Sequence, residues 1–186
     1  MSRVVTGTVE PYGSQSHLTE SDIIYIESLK SKKRQAEVAS WRSLLRSFFE
    51  ITSDILYHPS GAPYISNSNQ YISVSHSSTS VAVMLSDAPC AIDIESTSRD
   101  FARVASRYVT ADEAALLQNK PLLLPVLWSA KEVLYKLSPL DGLNLLEDLH
   151  ILSIDNCLIR GSVNGCDGEI KMQYFVEDED IVVHTA

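Results

Sequence analysis

The sequence predicts an α+β protein, and three observations carry that class. Apolar residues recur at helical spacing in two long stretches, from about residue 33 to 50 and from 125 to 137. Alternating runs of strand character gather between residues 71 and 95. A second group of strand-like runs fills the chain after residue 150, so helices and strands come in blocks.

In chain order, residues 1–12 read as an edge strand running into a turn at Pro11-Tyr12-Gly13. Ser21 and Asp22 are placed to cap a short helix carrying Ile23, Ile24 and Ile26. Val38, Trp41, Leu44, Leu45, Phe48 and Phe49 define the buried side of the helix from 33 to 50, and Arg34 and Arg42, eight residues apart, share roughly one side of it. Pro59-Ser60-Gly61-Ala62-Pro63 is a turn cluster. Three strands are expected over 71–75, 80–85 and 90–95. Residues 99–108 read as a short helix exposing Arg99, Arg103 and Arg107. Thr110-Ala111-Asp112-Glu113 forms a capping box for the helix that follows, which gives Glu113 a structural role. The helix from 125 to 137 has no internal glycine and carries Pro125 where a first turn tolerates it. Beyond a loop at Pro139–Leu143, strands are expected around 151–158, 169–175 and 181–185, with Asn164-Gly165 and the acidic run 177–180 as turns.

A chain of 186 residues accommodates one large domain or two small packed halves. Hydrophobic content of 45% is that of a globular protein, and no apolar run approaches a membrane span. The N-terminus turns polar too soon for a secretory signal, and Cys90, Cys157 and Cys166 show neither even pairing nor zinc spacing, which points to the cytoplasm. A net charge of −9 argues against a nucleic-acid partner. The cations are concentrated in two places, Lys30 to Arg46 and Arg99 to Arg107. In an acidic protein such clusters point to anionic ligands, and ordinary solvated helix faces are the alternative.

The candidate chemistry lies in two stretches. Along the strand Cys90-Ala91-Ile92-Asp93-Ile94-Glu95, side chains alternate, so Asp93 and Glu95 share one face. Two carboxylates side by side repel unless a cation or a proton lies between them. On the helix, Trp128, Glu132 and Lys136 fall on one stripe. Alone, the Glu–Lys spacing is also that of a common surface ion pair. Asp93, Glu95 and Glu132 together offer three hard oxygen ligands of the kind that suits Mg2+, with Mn2+ as a second ion of the same preference. Lys136 would then stand beside the ion, and Ser75-His76-Ser77 at a strand end offers donors to phosphate.

Ser75-His76-Ser77, Ala91-Ile92-Asp93-Ile94-Glu95 and Trp128-Ser129-Ala130-Lys131-Glu132-Val133-Leu134-Tyr135-Lys136 resemble, in order and spacing, the motifs of 4′-phosphopantetheinyl transferases. The resemblance is to the larger, monomeric type that activates peptide and polyketide synthases, and it covers about Arg34 to Lys136. It implies a single transferase unit over residues 1–186 made of two similar α+β halves, approximately 1–86 and 87–186, related by a pseudo-twofold axis with coenzyme A between them. It implies Mg2+ on Asp93, Glu95 and Glu132, Lys136 near the diphosphate, and Glu132, or a water it holds, as the base toward a carrier serine. Ser75 and His76 match coenzyme A contacts, and Arg34 and Arg42 lie where cations for its 3′-phosphate end are placed. The implied partner is an acidic acyl or peptidyl carrier protein, for which Arg99, Arg103 and Arg107 form a candidate docking surface.

Two positions depart from the family pattern: Ala62 replaces a lysine in Gly-Lys-Pro, and Ala91 replaces the glycine before Ile-Asp. The missing lysine supports a second reading, a non-catalytic relative that binds coenzyme A or carrier protein without transfer. A third reading is a structural α+β protein whose acidic strand and helix faces are merely solvated.

Overall fold

A computed structural model describes residues 2–117 and 122–186 and divides the chain into two units, Met1–Cys90 and Ala91–Ala186. Mixed helices and antiparallel sheets make up both, as the α+β class requires.

The first unit opens with strand β1 (Arg3–Thr8), followed by helices α1 (Glu20–Ser28) and α2 (Lys32–Phe49). A short hairpin, β2 (Ile55–Tyr57) and β3 (Pro63–Ile65), precedes β4 (Tyr71–His76) and β5 (Ser80–Ser86). The sheet order is β1-β5-β4, all antiparallel, so β1 is an edge strand and β5 the centre. Val38, Trp41, Leu45 and Phe49 of α2 bury their apolar stripe with Val81, Val83 and Leu85 of β5. Helix α1 begins two or three residues earlier than Ser21 and Asp22 would place it. Its cap is Thr19, whose hydroxyl accepts from the Asp22 amide while the Asp22 carboxylate accepts from the Thr19 amide, a reciprocal capping box.

The second unit opens with β6 (Ile92–Ser96) and a 3-10 helix (Ala102–Arg107), then α3 (Ala111–Leu117) and α4 (Leu123–Leu137). Four strands follow: β7 (Leu149–Asp155), β8 (Leu158–Val163), β9 (Ile170–Glu177) and β10 (Asp180–Thr185). They build an antiparallel sheet in the order β6-β10-β9-β8-β7. The single strand expected over 151–158 is two, because Asn156 takes a left-handed φ of 51° and turns β7 into β8. Val126, Ala130, Val133 and Leu134 of α4 pack with Ile159, Met172, Ile181 and Val183 of the sheet. At Gly161 a Cβ would lie 2.9 Å from both the His150 carbonyl and Leu134, so glycine is what lets the helix and a neighbouring strand close on β8. Ala91 is fully buried and takes no positive φ, so alanine fits there: its amide donates to Thr185 Oγ1 (3.3 Å) and its carbonyl accepts from the Thr185 amide (3.0 Å).

Each unit begins with a strand that pairs antiparallel with that unit's last strand, β1 with β5 and β6 with β10, and each lays its longest helix against that sheet. No described helix is long and apolar enough to cross a membrane.

Candidate active site

Strand β6 and helix α4 present the candidate residues of the second unit. Asp93 pairs across the sheet with Val183 and Glu95 with Ile181, and both partners belong to the core under α4. The two carboxylates therefore share the face that carries the helix, while Ile92 and Ile94 are buried on the other face. Lys136 Nζ donates to Asp93 Oδ1 (2.9 Å) and to the Ile92 carbonyl (2.8 Å), joining the last turn of α4 to the strand. The Arg99 guanidinium ion-pairs with Glu95 from the far end of the strand. Glu132, one turn before Lys136, is half-buried and forms no ion pair among the described residues.

The electrostatics show how closely the acids are grouped. Burial first, then the Asp93 charge, pushes the Glu95 carboxyl up to about 7, against the opposing pull of Arg99, and Glu132 adds to the rise. Trp128 also offsets part of it, although its buried indole N–H reaches no partner at hydrogen-bonding geometry. Burial and then Asp93 likewise raise Glu132, opposed by Lys136 and Arg99. Two raised carboxyls beside the Asp93 charge form, with it, an oxygen donor set of the kind a hard divalent cation takes. Among the described residues, however, no three His, Cys, Asp or Glu side chains are drawn together as a ready metal cage. In this arrangement two of the three acids are held by Lys136 and Arg99.

The rest of helix α4 turns to structure. Lys131, adjacent to Glu132, is fully buried; its ammonium pairs with Glu113 (2.9 Å) and donates to the Leu145 carbonyl (2.9 Å). Glu113 completes the expected capping box with Thr110 and also accepts from the Ile151 amide (2.9 Å), tying α3, α4 and β7 together. Trp128 stacks edge-on against Tyr108, with centroids 5.1 Å apart.

In the first unit, Arg34 and His76 come together. Arg34 Nη1 lies 2.9 Å from His76 Nε2, a contact that joins helix α2 to the end of β4. Both approach Glu37, at 3.2 and 3.4 Å, a buried carboxylate missed in the sequence although its spacing from Lys33 and Arg34 announces the contacts. Arg34 and His76 keep about 45% and 37% of their side chains exposed, so each retains a face for a ligand. Ser75 lies in β4 beside His76, but Ser77 is buried and its hydroxyl accepts the Thr79 and Ser80 amides of the following turn.

Arg42 does not join them, contrary to expectation. It is 1% exposed, donates to Asp22 (2.6 Å), the Ile55 carbonyl and Tyr57, and lies over the Tyr25 ring. A guanidinium so enclosed, with both terminal nitrogens engaged, holds the fold and presents no exposed donor to a phosphate. Among the arginines of the second cluster, Arg99 likewise differs from Arg103 and Arg107, since it is engaged with Glu95. The segment carrying the other two is a 3-10 helix, so residues four apart point about 120° away from each other and do not line one face.

The unit from Ala91 onward is thus an α+β module with strand carboxylates, a helix glutamate and a lysine gathered at the junction of β6 and α4. The family model described as the 4′-phosphopantetheinyl transferase superfamily matches residues 89–185, more than half of the chain, and the chain belongs to that superfamily of transferases. The match spans Asp93, Glu95, Glu132 and Lys136 and leaves Arg34, Ser75 and His76 outside it. No curated protein matches the chain.

Proposed function

We propose that the protein transfers the 4′-phosphopantetheine arm of coenzyme A to a serine hydroxyl of an apo acyl or peptidyl carrier protein, releasing adenosine 3′,5′-bisphosphate. The observation that carries this reading is the grouping of Asp93, Glu95, Glu132 and Lys136 inside the segment that matches the transferase superfamily. Two similar units in one chain favour the larger, single-chain type within that superfamily.

The serine oxygen attacks the pantetheine-bearing phosphorus, an O–P bond forms, and the bond from that phosphorus to the bisphosphate breaks. Glu132, or a water it holds, takes the serine proton; a carboxylate raised by burial is the better acceptor near neutral pH. Asp93, Glu95 and Glu132 are the residues to hold Mg2+, or Mn2+, whose chemistry is to draw charge from the diphosphate oxygens. Lys136 reorients from Asp93 toward the diphosphate, adding a fixed positive charge where negative charge develops. Within the first unit, Arg34, Ser75 and His76 are the proposed contacts for phosphates of coenzyme A.

Intact-mass spectrometry of an apo carrier protein, incubated with the protein, coenzyme A and Mg2+, tests the reading. A mass gain of one phosphopantetheine is expected, lost with EDTA and reduced at least about a hundredfold in rate by Glu132→Gln. No gain across several carriers, with coenzyme A still bound, would establish a binding-only relative.

A further inference from the structure

We propose that Arg99 is a positioning residue that stands in for the divalent cation: it holds Glu95 while the cluster lacks metal and must leave that carboxylate for Glu95 to become a ligand. The inference rests on reading Asp93, Glu95 and Glu132 as a cation site.

The turn after β6 is built to return Arg99 to the strand it has just left. Thr97 donates from both its amide (2.7 Å) and its hydroxyl (2.9 Å) to the Glu179 carbonyl. Ser98 donates its amide to Ser96 Oγ (3.3 Å), and the Arg99 amide reaches the Ser96 carbonyl (3.2 Å). This fixes the Arg99 backbone beside Glu95. The guanidinium then lies 4.8 Å from the centre of the Trp128 ring and 4.9 Å from that of Phe101 while ion-pairing with Glu95. The guanidinium therefore touches both rings and the carboxylate at once, so leaving Glu95 by an outward swing also takes it off the Trp128 ring.

Exposure differs between the partners. The Arg99 side chain is 43% exposed and free to swing outward, whereas Glu95 is only 16% exposed and stays where the strand puts it. Without Arg99, the groups facing Glu95 are the carboxylates Asp93 and Glu132 and the indole edge of Trp128. Charge balance gives the direction of the exchange. With all three acids ionised, as a bound cation would require, Arg99 and Lys136 leave one negative charge, and replacing Arg99 by a doubly charged ion while Lys136 stays brings the cluster to neutrality. Arg99 therefore competes with the metal and sets its affinity, whereas a purely structural arginine would support the site.

Mn2+ alone, titrated into the full chain and followed by electron paramagnetic resonance, separates these roles. Arg99→Gln removes the competitor and is expected to bind Mn2+ about fivefold more tightly, the worth of one partly exposed ion pair. Arg99→Lys, which keeps the competing charge, should stay close to the wild type. Weaker or equal binding by Arg99→Gln overturns the proposal. A second measurement needs no variant: Mg2+ added to the wild type should change tryptophan emission as Arg99 leaves Glu95 and moves off the Trp128 ring, and an unchanged spectrum at saturating Mg2+ overturns the proposal as well. Glu132→Gln leaves Arg99 and Glu95 intact and tests the underlying reading. If it does not weaken Mn2+ binding, the cation site itself fails and the inference falls with it. If it does weaken binding while Arg99→Gln fails to tighten it, only the role of Arg99 is lost.

Discussion

Glu95 and Glu132 belong to one cluster but have different neighbours, and the roles proposed for them follow that difference. Glu95 is held by a guanidinium, and in the proposed site it would serve as a ligand that first gives up this partner. Glu132 has no such partner among the described residues and sits one helical turn from Lys136, where a raised carboxyl is available to take a proton. Position 62 is a subtler case at the same scale. Ala62 lies exposed in the turn between β2 and β3, where its carbonyl accepts from the His58 amide (2.9 Å) and its methyl group has no structural duty. Ala62→Lys therefore leaves the backbone undisturbed and adds the cation found at this point in the family pattern. The expected outcome is a KM for coenzyme A lower by about fivefold, the worth of one solvent-screened charged hydrogen bond, with kcat unchanged. Steady-state kinetics at saturating carrier decides it, and an unchanged KM would mean that position 62 does not face coenzyme A. The shared face of Asp93 and Glu95, and the stripe of Glu132 and Lys136, were legible because side-chain direction follows from strand and helix period alone. The engagement of Arg99 with Glu95 and the burial of Arg42 were not legible, because each depends on a partner outside its own helix or strand.

At the scale of elements, the long periodic segments α2, α4, β4 and β5 emerge within two or three residues of where their apolar spacing places them. The short ones escape: the β2–β3 hairpin has too few residues to alternate, and one left-handed residue, Asn156, divides what reads as a single apolar run. The joints between elements rest on buried ions that carry no periodic signal. Glu113 and Lys131 are both almost fully buried, so Glu113→Ala leaves an ammonium without its counter-charge and the Ile151 amide without an acceptor. A loss of about 3–5 kcal/mol is expected, read as a lower urea midpoint at unchanged m value. Asp22, buried between Arg42 and Arg46, joins α1 to α2. Burial acts most strongly on it and would raise its carboxyl, but hydrogen bonds from Arg46, the Thr19 amide and Arg42 together outweigh burial and hold it below the ordinary range. A lowered folded value means that the stabilisation is complete above the unfolded pKa, about 4, and is lost as pH falls through the folded value. Chemical denaturation at successive pH values should show the wild type losing stability more steeply below about pH 4 than Asp22→Asn. Parallel curves would remove Asp22 as a source of acid sensitivity.

Across the whole molecule, 15 Lys and Arg are outnumbered by 24 Asp and Glu, and the net charge of −9 repels an acidic carrier at long range. Productive encounter then depends on cations that are exposed and not already committed. Arg42 and Arg46 are enclosed with Asp22, Lys131 with Glu113, and Arg99 and Lys136 hold the site carboxylates. Exposed cations without an ion pair among the described residues include Lys30, Lys32 and Lys171 as well as Arg103 and Arg107. Of these, Arg103 and Arg107 lie on the 3-10 helix that follows β6, next in the chain to the site strand. Because the two point to different sides of that short helix, they suit a carrier that wraps its turn rather than one lying along a single stripe. Reversing both charges, Arg103→Glu with Arg107→Glu, is expected to raise the KM for carrier about tenfold, while the KM for coenzyme A and the thermal midpoint stay as they were. Added salt should raise the carrier KM of the wild type and have much less effect on the double variant, since screening removes only an attraction that is present. A carrier KM insensitive to both changes would move the docking surface away from this helix and leave Arg103 and Arg107 as solubilising charges.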